Sequence, residues 1–117
     1  MVDDSPSETH QFVNALTKEG HEVLTAESGS AGVEMANSQL PDIILMDVVM
    51  PGLNGFQATR QLTRNESTGH IPIIIVSAKS QDVDRVWGER QGAKGYLTKP
   101  VDTRTLLATV NTVLLDD

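Results

Sequence analysis

At 117 residues and a formal net charge of −7, the chain has room for one domain with one core. It has no cysteine, which excludes disulfides and thiolate metal sites. Its 16 acidic residues outnumber the 9 Lys and Arg, so a nucleic-acid partner is not expected. No apolar run is long enough to cross a bilayer and no charged-then-apolar leader opens the sequence; no membrane partner and a cytoplasmic location are the expectations.

In chain order, Met1-Val2 lead directly into the acidic pair Asp3-Asp4. Ser5-Pro6-Ser7-Glu8 then reads as a helix start, with Ser5 as cap, Pro6 in the first turn and Glu8 completing a capping box. Phe12, Ala15 and Leu16 share one face of that helix, and Gly20 ends it. Val23 to Ala26 is predicted as a strand and Ala31 to Ser38 as a short helix. Ile43 to Met46 and Ile73 to Val76 are continuous apolar runs, the pattern of strands covered on both faces. Gly55 to Asn65 and Asp82 to Gln91 fit intervening helices, and Tyr96-Leu97-Thr98 a short last strand. The final helix is predicted over Thr103 to Leu115, with Leu106, Leu107, Val110, Val113 and Leu114 facing the core. Alternation of this kind predicts an α/β domain with a parallel sheet, spanning residues 1–117. A strand leading into Asp3-Asp4 is largely missing, so the chain is read as N-terminally truncated. The gap would then be filled by rearrangement or by another chain.

The chemistry-bearing residues fall at the carboxyl ends of the predicted strands, where open α/β sheets place their sites. Asp47 ends the run Ile43-Ile44-Leu45-Met46 and is followed by a turn at Pro51-Gly52. Ser77 ends the next run, and Lys99-Pro100 follow the last strand. Singly, each has a structural explanation: a solvated acid near a helix N-terminus, a turn former, a cap, a surface lysine. Together, Asp3, Asp4 and Asp47 make a crevice of like charges for which a hard cation such as Mg²⁺ is the usual remedy. Lys99, before a proline, is held extended and aimed toward Asp47, and the Ser77 hydroxyl is placed to bond a phosphoryl oxygen.

Asp3-Asp4, Met46-Asp47, Met50-Pro51-Gly52, Gly55, Ser77-Ala78, Gly92-Ala93, Tyr96 and Lys99-Pro100 resemble, in order and spacing, the receiver domains of two-component response regulators. The strings from Met50 to Arg60 and from Val86 to Ala93 are similar to regulators of type IV pilus twitching motility. The resemblance implies a flavodoxin-like doubly wound parallel sheet in strand order 2-1-3-4-5, here with strand 1 largely missing. It implies that Asp47 accepts a phosphoryl group from a histidine kinase as an aspartyl phosphate. Mg²⁺ would be held by Asp4, Asp47 and the Val49 carbonyl, with Asp3 acting indirectly. Lys99 would pair with Asp47 at rest and with the phosphoryl group afterwards. Ser77 and Tyr96 would form the switch, Tyr96 turning into space that Ser77 leaves. The readout would be the surface of the fourth helix, fifth strand and fifth helix, on which Trp87 is either a reporter or a plain packing residue. Val49 and Lys79 flank the approach of water, and slow self-dephosphorylation is expected.

The implied function is a stand-alone receiver that switches a downstream effector protein without being an enzyme in the turnover sense. A phosphate sink and an unphosphorylated interaction module are alternatives. A Mg²⁺-dependent phosphatase is disfavoured by Val49, because such enzymes place an acid two residues beyond the nucleophile. A flavin-binding domain is disfavoured by acids where its phosphate loop would lie. A dimer, through strand exchange or the surface around the fourth helix, is a further expectation.

Overall fold

A computed structural model describes residues 1–50, 52–79 and 81–115. Pro51, read above as part of the turn after Asp47, lies outside the described residues, as do Ser80, Asp116 and Asp117. The chain alternates helices and strands: α1 (Pro6–Lys18), α2 (Gly29–Gln39), β1 (Ile44–Met46), α3 (Gly55–Arg64), β2 (Ile73–Ser77), α4 (Asp82–Gln91), β3 (Gly95–Thr98) and α5 (Thr103–Leu115).

The three strands form one parallel sheet in the order β1-β2-β3, with Ile44 opposite Ile73 and Ile75 opposite Tyr96. Side chains alternate across a strand, and the core divides accordingly. Ile44, Met46 and Ile73 join Ala36, Ala58 and Leu62 under α2 and α3. Leu45, Ile74 and Val76 join Phe12, Leu16, Leu106 and Val110 under α1 and α5. Every residue of β2 is buried, which is why that segment is an uninterrupted apolar run. In α5, Leu106 and Val110 are fully covered while Leu107, Val113 and Leu114 pack at the margin of the same cluster.

The N-terminal corner differs from the sequence expectation. Val23–Ala26 is not a strand; it reaches the sheet only at Ala26, through a parallel bridge to Val2. Val2 is also bridged to Met46, so residues 1–3 lie between Ala26 and β1, the place of strand 1 in the order 2-1-3-4-5. The Val2 amide donates to the Leu45 carbonyl at 2.8 Å, and the Asp47 amide donates to the Val2 carbonyl at 2.9 Å. On the other side, the Asp3 amide donates to the Ala26 carbonyl at 3.0 Å. A strand is a property of a ladder, and Val23 to Thr25 have almost nothing to pair with. Beside them, bordered by Leu16, Val23, Leu24, Ile43 and Leu45, is a cavity of about 350 Å³. Residues 1–3 thus join Ala26 to β1, with this cavity beside them.

The predicted capping box of α1 is also absent. Ser5 makes no side-chain cap bond; its backbone N–H donates instead to Asp3 Oδ1 at 2.9 Å. Glu8 turns to a partner far away in sequence, described below. Among the described residues no helix is long and apolar enough to cross a membrane.

Candidate functional site

Asp47 follows the last residue of β1 and is buried, with 5% of its surface exposed. Its backbone amide is held by Val2, and the loop that follows folds tightly back, the Gly55 amide donating to the Val48 carbonyl at 3.1 Å. Gly55 has to be glycine here, because a Cβ at this position would run into the Asp47 carbonyl oxygen. Asp3 is equally buried and Asp4 exposed. One carboxylate oxygen from each of Asp3, Asp4 and Asp47 lies within 4.8 Å of the others. The tight return at Gly55 and the Val2 ladder thus bring together acids that are 44 residues apart in the chain.

Lys99 comes in from the opposite end of the sequence. Its backbone N–H donates to the Ser77 carbonyl at 2.8 Å, tying the end of β3 to that of β2, and the Lys99-Pro100 peptide is cis. The ammonium reaches Asp3 Oδ2 at 3.0 Å, Glu8 Oε2 at 2.5 Å and Asp47 Oδ1 at 3.8 Å. The expected resting pair of Lys99 with Asp47 is therefore the longest of three contacts. Asp3 and Glu8 hold the ammonium by hydrogen bonds, because they lie nearer to where the backbone places it. Burial alone would lower the Lys99 pKa; the bonds to Glu8 and Asp3 and the charge of Asp47 outweigh it and raise it. Asp47 moves the other way from an ordinary carboxyl. Burial, reinforced by the charge of Asp3, raises it to about 6 against the pull of Lys99 and of the Val48 and Val49 amides.

Ser77 is fully buried at the end of β2, and its Oγ accepts from the Lys79 amide at 3.2 Å. Tyr96 is tied to the loop after Ser77. Its hydroxyl already donates to the Lys79 carbonyl at 2.7 Å, and burial raises its pKa. Val49 is half exposed, as is Trp87 on α4, which stands with exposed Val83 and Val86.

Two residues here escaped the sequence reading. Glu8 was assigned to helix capping. The only signal for its contact was a carboxylate five residues after Asp3, one helical turn into α1. Arg85, one residue from the exposed Val86, stacks over the Tyr96 ring at 5.4 Å and donates to Thr98 Oγ1 at 3.1 Å. It makes the outer wall of the Tyr96 site, and its sequence context carried no hint of that.

The donor set of the acidic crevice is all oxygen, anionic and clustered, and burial with the charge of Asp3 raises the Asp47 pKa in spite of Lys99. Those properties fit Mg²⁺, which takes one or two carboxylates and retains several waters.

A parallel sheet flanked by helices, with acids, a hydroxyl and a lysine converging on its carboxyl edge, defines a receiver. The family model described as "Response regulator receiver domain" matches residues 1–111, and the chain belongs to that family. It is 60% identical to Protein PilH of Pseudomonas aeruginosa over 114 residues, covering 97% of this chain and 94% of that protein. It is 41% identical to the response regulator PleD of Caulobacter vibrioides over 97% of this chain, spanning 25% of that longer protein. Among solved structures, the chemotaxis protein CheY4 of Vibrio cholerae superposes with a TM-score of 0.90 at 31% identity, covering 96% of this chain and 93% of that one. A receiver from Methanospirillum hungatei, at 23% identity, shares the fold with a TM-score of 0.92 over 98% of this chain and 90% of its own.

Proposed function

We propose that Asp47 accepts a phosphoryl group from the phosphohistidine of a histidine kinase, or from a small acyl phosphate. An Asp47 carboxylate oxygen bonds to phosphorus as the bond to the leaving imidazole or carboxylate breaks. Asp4, Asp47 and the Val49 carbonyl would hold Mg²⁺, with Asp3 acting indirectly, and the ion would neutralise charge on the phosphoryl oxygens. Lys99 supplies a second positive charge on the side of Asp47 facing α1. Ser77 offers its hydroxyl proton to a phosphoryl oxygen, and turning the Oγ toward it pulls on the bond that the Oγ accepts from the Lys79 amide. A change at Lys79 reaches Tyr96 through the hydroxyl–carbonyl bond, and from there the face formed by α4, β3 and α5.

That face carries exposed Val83, Val86 and Trp87, a surface suited to a downstream effector protein. The reading is of a switch and not of a turnover enzyme, working in the cytoplasm, with twitching-motility control as the process its PilH relative suggests. A receiver-sized relative matched over 94% of its own length supports a stand-alone domain. Apolar Val49 and the cover of Lys79 favour a long-lived phosphate.

One observation carries the proposal: a buried carboxylate with a raised pKa, 3.8 Å from an ammonium and beside two further acids. Intact-mass analysis after incubation with acetyl phosphate and Mg²⁺ tests it. A single phosphoryl adduct that disappears in Asp47→Asn and on chelation is expected; no adduct on the unaltered chain overturns it.

A further inference from the structure

The Lys99 ammonium has three protons to give and three carboxylates around it. Asp3 and Glu8 each take one at hydrogen-bond distance, and Asp47, at 3.8 Å, lies outside that range. The two nearer acids are not equivalent. The Asp3 side chain is wholly buried and its other oxygen is committed to the Ser5 amide. The Glu8 side chain is 45% exposed, so water can replace Lys99 on its oxygens. It also stands in the first turn of α1, where the helix N-terminus favours a carboxylate whether or not Lys99 is present. The bond to Glu8 is therefore the one that can be exchanged, and the bond to Asp3 is the pivot.

We infer that Glu8 is a positioning residue for phosphorylation: it holds Lys99 back from Asp47 in the resting site and competes with the incoming phosphoryl oxygens for the ammonium. This rests on the reading of Asp47 as acceptor and adds to it a residue outside the acidic crevice. The side-chain bond of Glu8 is to Lys99, and its effect passes through that ammonium. It makes the receiver slower to charge than the same site with a free lysine.

The test is the initial rate of adduct formation with acetyl phosphate and saturating Mg²⁺, measured by intact mass on the full chain and on Glu8→Gln and Glu8→Asp. Thermal melts run alongside confirm folding. Glu8→Gln is expected to charge faster by about two- to five-fold, the worth of a partly exposed ion pair. Glu8→Asp keeps the negative charge but is one methylene too short to reach, so it too is expected to charge faster. An unchanged or slower rate in Glu8→Gln overturns the inference. So does a fast Glu8→Gln with a Glu8→Asp at the parent rate, since then only the local field matters and not the contact. An unaltered chain that forms no adduct overturns the acceptor reading itself, a result distinct from both.

Discussion

The sheet around β2 and the corner around Val2 are built to different standards. Ile74 has alternating neighbours on both sides, helices above and below, and no exposed surface. Val2 is just as covered, but its ladder is two single bridges and the space next to it is a cavity of about 350 Å³. The site straddles the two. Asp47, Ser77 and Lys99 hang from the well-paired strands, while Asp3, Asp4 and Glu8 belong to the thin corner. Asp47, Ser77 and Lys99 thus sit on a fully paired frame, and Asp3 and Asp4 depend on a few backbone bonds.

Cutting into each region measures the contrast. Ile74→Ala is expected to cost about 2–5 kcal/mol in denaturant unfolding, the usual toll of a large buried truncation. A cost under about 1 kcal/mol would mean the sheet centre is looser than its burial implies.

The next largest effect is electrostatic. Asp47 has a folded pKa of about 6 against an ordinary value of 3.8, so between those values the folded chain binds more protons than the unfolded one. Stability from this group is therefore present at low pH and lost as pH rises through 6. With Mg²⁺ chelated, Asp47→Asn should stabilise the chain at pH 7 by about 1–3 kcal/mol. It should also flatten the fall in melting temperature between pH 4 and 6. A variant no more stable than its parent at pH 7 would show that Lys99 already neutralises the site.

Val2→Ala removes two methyl groups, worth about 1–2 kcal/mol by transfer alone. Because the corner already borders open space, its Mg²⁺ affinity is expected to weaken along with its stability as Asp3 and Asp4 loosen. Magnesium titration of the melting temperature reads both. Unaltered Mg²⁺ affinity would mean that the acids are held by Asp3's own bonds to Ser5 and Lys99.

The smallest effect lies at the outer wall. Arg85→Ala should cost no more than about 1 kcal/mol, since an exposed cation–π contact contributes little. Tyr96, freed of the stacked guanidinium, should nonetheless become more accessible to acrylamide quenching. Quenching equal to the parent would place the restraint on Tyr96 in its bond to Lys79 alone.

Much of this was legible in advance, and the exceptions share a cause. The ranges Asp82–Gln91 and Thr103–Leu115 were readable because helix periodicity and caps are local properties of the chain. The buried strands showed as apolar runs, and the order of Asp47, Ser77 and Lys99 along the sequence located the carboxyl edge of the sheet. Val23–Ala26 has the residues of a strand and is not one, because pairing partners are supplied from elsewhere. Glu8 has the spacing of a capping residue, yet it bonds a lysine 91 residues away. The bond from the Tyr96 hydroxyl to the Lys79 carbonyl, across 17 residues, likewise has no local signal.

What the sequence determined by itself was the class of the fold, the family and the cast of chemical groups, since periodicity, turn residues and motif spacing are written in one dimension. Tertiary structure alone decided which carboxylates share the Lys99 ammonium, how strongly Asp47 resists ionising, and that Val2 bridges Ala26 and Met46 beside a cavity. The cavity lies beside Val2 while β1 adjoins it on the other side, and all of these are matters of distance and desolvation between segments remote in the chain.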